Sequence, residues 1–203
     1  MPNIEPVPRS QLPEFASFFG LVRDAMGFVP NSLPTMAHRP EILSAFATLA
    51  GAVLGPGTVD LGLKQLVALM ASTAAGCRYC QAHTASTAAR RGVDLAKIES
   101  LYDFETSALF NDAERAALRL ARDAALVPNC TTPAHFAELK RYYSEPDIVE
   151  IVAVVSLFGW LNRWNDTMAT ELEEEPRAFA SDHLQKHGWA PGKHSESAAR
   201  GAR

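Results

Sequence analysis

The chain is poor in cysteine, with three in 203 residues. That number is too small for the disulfide framework of a small secreted domain. Cys77 and Cys80 form a Cys-x-x-Cys pair, whereas Cys130 stands alone in a predicted loop and is assigned no role. The first residues show neither a basic opening nor an apolar run, so no secretory signal is expected. A close thiol pair without other disulfides indicates chemistry in a reducing compartment, and we expect a cytoplasmic protein.

Excess positive charge and long apolar runs are also missing. The 19 Lys and Arg residues are outnumbered by 23 Asp and Glu residues, which gives a net charge of −4. Aromatic residues are not interleaved with basic ones, so nucleic acid is not expected as a partner. The longest apolar stretch, residues 148–161, contains Glu150 and is too short to span a bilayer. A membrane partner is therefore not expected either.

Segments of alternating β-branched residues, which would indicate strands, do not occur. The stretches between Pro- and Gly-rich turns instead repeat apolar residues every three or four positions, as Phe15, Phe18, Phe19 and Val22 do. Helices are predicted over residues 12–26, 40–54, 58–75, 77–91, 94–102, 111–126, 132–142 and 144–173. We predict an all-α fold with one domain over residues 1–186. The remainder, 187–203, is rich in Gly, Ser, Ala and charge and is predicted to be a disordered tail.

The chain carries a faint internal repeat. A shift of 85 residues places 65–69 over 150–154, and 77–80 over 162–165. In both copies an apolar helix leads into x-Arg-aromatic-x, but Asn162 and Asn165 replace the two thiols in the second copy. One interpretation is a duplicated helical unit, with halves at about 58–92 and 144–173, in which only the first half kept a redox pair. The other is a chance alignment of two amphipathic helices.

The Cys77/Cys80 pair lies at the start of a predicted helix. This spacing lets two sulfurs approach within bonding distance. Unpaired N–H groups and the helix dipole favour a thiolate at such a position. His83 follows Cys80 by three residues and shares its helix face, so it is placed to exchange a proton with the thiol. The pattern favours a redox-active dithiol.

The same residues also allow a metal site or a purely structural role. Cys77, Cys80 and His83 supply three zinc ligands, but a tripod within one helical turn is unusual, so no metal or cofactor is expected. Two buried structural cysteines are the remaining alternative. The acidic run at 173–175 is most simply a solvated helix end.

Residues 63–92, LKQLVALMASTAAGCRYCQAHTASTAARRG, resemble the alkylhydroperoxidase D/carboxymuconolactone decarboxylase superfamily. The resemblance includes the apolar helix, Tyr79 between the cysteines, the following His83 and the closing Gly92. The segments 27–31, 39–41 and 145–171 are similar to its peroxidase-related branch, so the resemblance covers about residues 12–175. It implies an AhpD-like all-α fold with a duplicated helical unit, homo-oligomers and thiol-dependent reduction of hydroperoxides.

The resemblance also implies a role for each site residue. Cys80 matches the thiol that attacks peroxide and becomes a sulfenic acid, and Cys77 matches the partner that condenses with it to a disulfide. His83 matches the imidazole that relays protons, although the family's histidine commonly falls four residues after the second cysteine.

One position departs from the family's pattern. Gln65 stands where the family has a glutamate, and a neutral amide cannot take up a proton. Glu150 holds the aligned position in the second copy. Gln65, Tyr79 and Glu150 are therefore candidates for a proton relay or for the lining of the site.

The resulting functional hypothesis is an alkylhydroperoxidase-like thiol peroxidase that uses a hydroperoxide and an unidentified thiol reductant. The alternative is a non-peroxidatic protein on the same scaffold: a disulfide exchanger, a redox sensor or an oligomeric binding protein. A homo-oligomer is expected because helices 12–26 and 148–164 carry more large apolar side chains than one small core buries.

Overall fold

The computed structural model describes residues 1–195, which form α-helices, short 3₁₀ turns and no strand. The predicted all-α fold is confirmed. The helices are α1 (Ala16–Met26), α2 (Ser32–Met36), α3 (Pro40–Leu54), α4 (Leu61–Ala75), α5 (Arg78–Arg90), α6 (Leu95–Glu99), α7 (Asp112–Ala124), α8 (Pro133–Leu139), α9 (Glu145–Met168) and α10 (Glu174–Leu184). Within the described residues, no helix has the length and hydropathy needed to cross a membrane.

Helix α4 forms the centre of the core and packs against α5, α7 and α9. Its apolar side chains point in all directions, and Leu66, Val67 and Leu69 are almost completely buried. A helix that is apolar all round is stable only when other helices surround it. The Asp60 carboxylate accepts a hydrogen bond from the Leu63 amide and caps the first turn. Because it is apolar on all sides, α4 is the helix around which its neighbours pack.

A tight turn at Gly76 joins α4 to α5. Gly76 has φ +78°, a left-handed conformation that residues with a Cβ rarely adopt. The Cys77 amide then donates to the carbonyl of Ser72, which closes the turn. Helix α5 begins at Arg78 with Cys77 as its N-cap, as the pattern predicted. The turn thus delivers the first cysteine to the end of a buried helix.

Helix α9 ends earlier than the sequence pattern indicated. It stops at Met168, because Ala169 adopts a left-handed conformation with φ 49°. The chain then turns, and Glu173 becomes the N-cap residue of α10, an element that the sequence did not predict. This turn brings Glu173 back toward α5.

The prediction of a disordered tail from His187 is wrong for residues 187–195. Trp189 is 2% exposed, and its indole N–H donates to the Arg78 carbonyl at 3.1 Å. His194 is 1% exposed, and its carbonyl accepts from the Leu172 amide at 2.9 Å. A polar composition therefore did not exclude packing, because two aromatic rings anchor the segment. The rest of the predicted tail, 196–203, lies outside the described residues.

The two segments of the internal repeat lie on helices that pack together. Residues 65–69 belong to α4 and residues 150–154 to α9. The first segment is followed by a helix break at Gly76, whereas α9 continues without interruption through Asn162 and Asn165. The Asn165 side chain donates to the sulfur of its aligned counterpart, Cys80. The duplication and its halves remain a prediction.

Candidate active site

The two cysteines of the motif lie side by side beneath the surface. Cys77 is 0% and Cys80 3% exposed, and both are free thiols. The Cys80 amide donates to the Cys77 sulfur at 3.5 Å, so this sulfur occupies the position of an N-cap oxygen. The Asn165 side-chain amide donates to the Cys80 sulfur, also at 3.5 Å. The geometry therefore unites the predicted dithiol and adds an amide donor from α9.

The surroundings shift the pKa values of the two thiols in opposite directions. Hydrogen bonding from Cys80 has the largest effect on Cys77 and, against the opposing effect of burial, helps lower the pKa of Cys77 to about 6. Burial and the hydrogen bond with Cys77 raise the pKa of Cys80 well above its ordinary value. At neutral pH Cys77 is consequently the thiolate and Cys80 the thiol. The resemblance gave the attacking role to Cys80, and which sulfur attacks stays a prediction.

His83 is held by a carboxylate that the sequence pattern did not reveal. Its Nε2 lies 2.6 Å from Glu173, and the Tyr79 hydroxyl donates to the same carboxylate at 2.9 Å. The prediction that 173–175 is a solvated helix end is wrong for Glu173, whose side chain is 12% exposed. Burial acts to raise the pKa of Glu173, but the charge and hydrogen bonds of His83 and the Asn31 amide lower it overall. Glu173 therefore stays ionised at neutral pH.

The His83 ring lies between aromatic rings rather than against a thiol. The ring centroids of Tyr79 and Phe28 lie 4.1 Å and 5.0 Å from that of His83. In the described part of the chain no hydrogen bond joins His83 to Cys77 or Cys80. Burial, followed by the charge of Glu173, raises the pKa of Tyr79 well above its ordinary value, so Tyr79 remains a hydrogen-bond donor. The hydrogen bond that the predicted direct proton exchange between His83 and Cys80 requires is therefore not present in the described structure.

The two remaining candidates contribute differently from the predicted relay. Gln65 is a buried residue of α4, and across residues 1–195 no hydrogen bond joins it to His83 or to either cysteine. Glu150 forms an ion pair with Lys64 and accepts hydrogen bonds from the amides of Thr58 and Val59. These contacts fix the loop that leads into α4. They give Glu150 a structural role and lend no support to its place in a proton relay.

Two residues that no sequence motif indicates, Asp166 and His194, lie next to Cys77. The Cys77 sulfur, a carboxylate oxygen of Asp166 and a ring nitrogen of His194 all lie within 4.8 Å of one another. His194 belongs to the segment that the sequence predicts to be a disordered tail, and no motif distinguishes it from the other polar residues there. The three residues considered as zinc ligands, Cys77, Cys80 and His83, do not form a cluster in the described structure, because the His83 ring faces Glu173.

A cavity of about 340 Å³ has one member of this cluster, Asp166, in its lining. Its walls are the C-terminal end of α4, the apolar loop after α7 and the last turns of α9. Asn162, which is 4% exposed, lines it with both side-chain amide atoms lacking a hydrogen-bond partner. Asp166 lies at the same wall. A second cavity, of about 480 Å³, lies between α5 and α10. Neither Cys77 nor Cys80 is among the residues that line either cavity.

The fold and site have counterparts among known proteins. The model of the carboxymuconolactone decarboxylase family matches residues 40–123. The chain is 26% identical over 110 residues to the uncharacterized protein YnjA of Escherichia coli K12. That alignment covers 54% of this chain and 60% of YnjA, so the chain matches less than two thirds of that relative.

Solved structures extend the similarity to nearly the whole chain. The crystal structure of the debrominase Bmp8, a cysteine-to-alanine variant in complex with 2,3,4-tribromopyrrole, matches with a TM-score of 0.84 and 36% identity. The match covers 88% of this chain and 96% of Bmp8. The alkylhydroperoxidase AhpD core of an uncharacterized peroxidase-related protein from Ralstonia eutropha JMP134 has a TM-score of 0.71 and 23% identity, over 84% and 88% of the two chains. The family model matches the part of the chain that contains α4 and α5, and these solved structures share its fold. The chain therefore belongs to the AhpD-like/carboxymuconolactone decarboxylase superfamily.

Proposed function

We propose that this protein is a thiol-dependent oxidoreductase that reduces small hydroperoxides by oxidising Cys77 and Cys80 to a disulfide. The observation that carries the proposal is the buried thiolate–thiol pair, in which the Cys77 sulfur accepts hydrogen bonds from Cys80. A thiolate is the nucleophilic form of cysteine, and a second thiol in contact with it resolves the oxidised product within the same chain. This arrangement suits a cycle that transfers two electrons.

The reaction balances with two thiols and one hydroperoxide. One sulfur attacks the peroxide, the O–O bond breaks, and the alcohol leaves with a proton while the sulfur becomes a sulfenic acid. The second thiol displaces the hydroxyl group as water and forms the S–S bond. An external dithiol then restores both cysteines through thiol–disulfide exchange and is itself oxidised.

The Glu173 carboxylate fixes the orientation of His83 in this proposal, and His83 offers the substrate a hydrogen-bond acceptor. Nε2 of His83 faces the ionised carboxylate, so the proton at Nε2 is held there and the ring is fixed. No described residue forms a hydrogen bond with Nδ1, which leaves that nitrogen to accept a hydrogen bond from the O–H group of the hydroperoxide. The Tyr79 hydroxyl fixes the other carboxylate oxygen of Glu173. Orientation of a histidine by a buried acid is a common means of tuning its basicity.

A second candidate is reductive removal of bromine from a small aromatic ring. The similarity to the debrominase Bmp8, at 36% identity over 96% of that chain, favours it. The same dithiol supplies the two electrons: a C–Br bond is replaced by C–H, the cysteines form a disulfide, and bromide and a proton leave. The cavity of about 340 Å³ at Asn162 is within the size range of small-ligand sites.

The two candidates are separated by assaying one preparation with two substrates. The reduced protein is mixed with dithiothreitol and either tert-butyl hydroperoxide or 2,3,4-tribromopyrrole, and peroxide loss and bromide release are measured. Cys77→Ser and Cys80→Ser should each slow the active reaction, while the matched control Cys130→Ser, at an exposed thiol, should leave it unchanged. Turnover of neither substrate above the rate of dithiothreitol alone would contradict both candidates.

A further inference from the structure

The C-terminal segment places a buried histidine beside the reactive cysteine. His194 lies in a short 3₁₀ turn, Gly192–His194, and is 1% exposed. Trp189 anchors this segment to α5 through the Arg78 carbonyl, one residue after Cys77. The Leu172 amide fixes its other end by donating to the His194 carbonyl. The imidazole is therefore built into the site from a part of the chain far from the Cys-x-x-Cys motif.

The hydrogen bonds of His194 define where its protons lie. Nδ1 lies 2.8 Å from the Thr170 carbonyl oxygen, which can only accept, so Nδ1 carries a hydrogen. Nε2 is left as the basic nitrogen of the neutral ring. It lies 3.3 Å from Asp166 Oδ1 and belongs to the cluster that contains the Cys77 sulfur. A proton from Cys77 therefore has an acceptor at Nε2 and, once there, an adjacent carboxylate.

We propose that Cys77, His194 and Asp166 form a proton relay in which Cys77 is the attacking nucleophile, His194 its acid–base catalyst and Asp166 a positioning residue. This deepens the proposed function and rests on it only in taking the dithiol as the reacting group. It reverses the order of attack that the family resemblance implies, because Cys80 then becomes the resolving thiol. His83, held by Glu173, keeps the hydrogen-bonding role proposed above.

The titratable groups that act on the Cys77 sulfur come from three elements. Cys80 on α5 donates a hydrogen bond to this sulfur. Asp166 on α9 and His194 on the C-terminal segment complete the cluster. Hydrogen bonding from Cys80, opposed by burial and reinforced by His194, lowers the pKa of Cys77 to about 6. Burial disfavours the imidazolium, but hydrogen bonds with Cys77, the Thr170 carbonyl and Asp166 raise the pKa of His194 overall. The opposite shifts are those of a thiolate–imidazolium pair.

The relay gives each proton a donor and a destination. The Cys77 thiolate attacks the outer oxygen of the hydroperoxide, an S–O bond forms as the O–O bond breaks, and the alkoxide takes the Nε2 proton of His194 and leaves as alcohol. The Cys80 thiol then attacks the Cys77 sulfenic acid. An S–S bond replaces the S–O bond, and hydroxide leaves with the Cys80 proton as water. The external dithiol returns two electrons and two protons, and Cys77 again transfers its proton to His194.

The first test measures ionisation of the thiol and needs no substrate. Thiolate ultraviolet absorbance is titrated against pH in the reduced protein, with Cys77→Ser used to assign the signal. In wild type the Cys77 transition is expected near pH 6. In His194→Gln it should rise by about one unit or more toward the ordinary thiol value of roughly 8.5. Asp166→Asn should shift it in the same direction by less, and the matched control His83→Gln should leave it unchanged.

The second test identifies the first sulfur to be oxidised. Cys80→Ser keeps Cys77, and one equivalent of tert-butyl hydroperoxide followed by dimedone should label Cys77 in mass spectra. The reciprocal variant Cys77→Ser should label at Cys80 at least about tenfold more slowly, because Cys80 is the protonated thiol. Equal or faster labelling of Cys80 would overturn the proposal.

Measurements on the wild-type protein cover variants that fail to fold. Nitrogen NMR of the reduced protein at neutral pH should show His194 protonated at both ring nitrogens and becoming neutral together with the loss of Cys77 by oxidation or alkylation. A neutral His194 next to intact Cys77 would overturn the relay. Stoichiometric zinc binding that is lost in His194→Gln would also overturn it, since the cluster would then hold a metal. These outcomes do not depend on whether peroxide or bromopyrrole is the substrate.

Discussion

Glu173 and His83, ninety residues apart in the sequence, meet through a hydrogen bond of 2.6 Å between a carboxylate oxygen and Nε2. The contact exists because α9 ends at Met168 and the chain returns to α5 before α10 begins. Gln65, at the position where the family pattern has its glutamate, makes no such bond with His83 within the described structure. A carboxylate from another part of the chain thus lies where the predicted relay lacked one.

Replacing Glu173 with Gln should slow turnover of the dithiol at neutral pH. The amide keeps the shape but loses the charge that fixes the His83 proton, and loss of such an orienting partner typically costs about 10- to 100-fold. We expect kcat/KM to fall by about that factor, measured by steady-state consumption of the active substrate. The matched control is Glu174→Gln, at the adjacent exposed residue, which pairs with Arg177. Equal losses in both variants would refute a specific role for Glu173.

The site was predictable from the sequence where neighbours in the chain form it. Cys77, Cys80 and Tyr79 lie within one turn of α5, so the Gly76 break and helical periodicity were enough to group them. Glu173, Asp166 and His194 reach the site only through the left-handed turn at Ala169 and the packing of Trp189. The turn depends on the backbone angle of one residue, and the packing depends on one buried ring. Neither feature therefore leaves a periodic pattern in the sequence. The all-α class was predictable for the opposite reason, since many residues repeat the same pattern.

Cys77 and Cys80 should form a reversible intramolecular disulfide. The Cys80 amide already donates to the Cys77 sulfur at 3.5 Å, and the Cys-x-x-Cys spacing lets the two sulfurs reach bonding distance. Thiol counting after mild oxidation should show the loss of two thiols and leave exposed Cys130 reactive. Peptide mapping that finds all three thiols reactive, or only disulfides between chains, would contradict the dithiol assignment.

The ion pair between Lys64 and Glu150 should stabilise the fold rather than assist catalysis. Lys64 is 1% exposed and also donates to the carbonyls of Val53 and Gly55, so loss of the carboxylate leaves a buried cation with neutral partners. Glu150→Gln should lower the free energy of unfolding by about 2–3 kcal/mol, at or just below the range of roughly 3–5 kcal/mol for broken buried pairs, because the Glu150 side chain is 17% exposed. Urea unfolding at neutral pH measures this. Unchanged kcat/KM per folded molecule would separate stability from chemistry.

The pH dependence of this effect follows from the direction of the pKa shift. Burial acts to raise the pKa of Glu150, but Lys64 and the Val59 amide outweigh it and lower the pKa overall. A lowered pKa contributes stability that is complete above the unfolded value of roughly 4.3 and is lost as the pH falls through the folded value. The difference between wild type and Glu150→Gln should therefore shrink in acid. Glu145→Gln, at an exposed residue paired with Lys140, should change stability by less than about 1 kcal/mol at either pH.

Asn162 should act in substrate binding. Its buried amide lines the cavity with no hydrogen-bond partner for either side-chain atom in the described structure, which costs free energy unless a ligand or water satisfies it. Asn162→Leu should raise KM by about tenfold, equivalent to one lost hydrogen bond, while leaving the Cys77 titration unchanged. It should also raise the thermal midpoint, because the unsatisfied amide is removed. A lower kcat with constant KM would show that Asn162 acts on the reaction and not on binding.

We propose one exposed apolar surface as the contact of the predicted homo-oligomer. Large apolar side chains remain exposed on the adjacent helices α3 and α9: Ile42, Leu49, Val149, Val152 and Trp160. Trp160 stacks on Phe46 of α3 at 5.3 Å, so the two helices present one continuous face. Apolar patches of this kind commonly mark contacts between subunits.

Light scattering at micromolar concentration should therefore give a mass that is a multiple of the 22.0 kDa monomer. A closed assembly with two-fold contacts brings the same face of each copy together, so a charge placed there meets its own image. Val149→Glu, at a side chain that is 68% exposed, should shift the population toward monomer and leave the helix content unchanged by circular dichroism. The same substitution at Leu109, which is 46% exposed and lies outside both helices, is the matched control. A monomer mass for the wild-type protein would refute the oligomer, whereas a multiple that survives Val149→Glu would move the interface to another face.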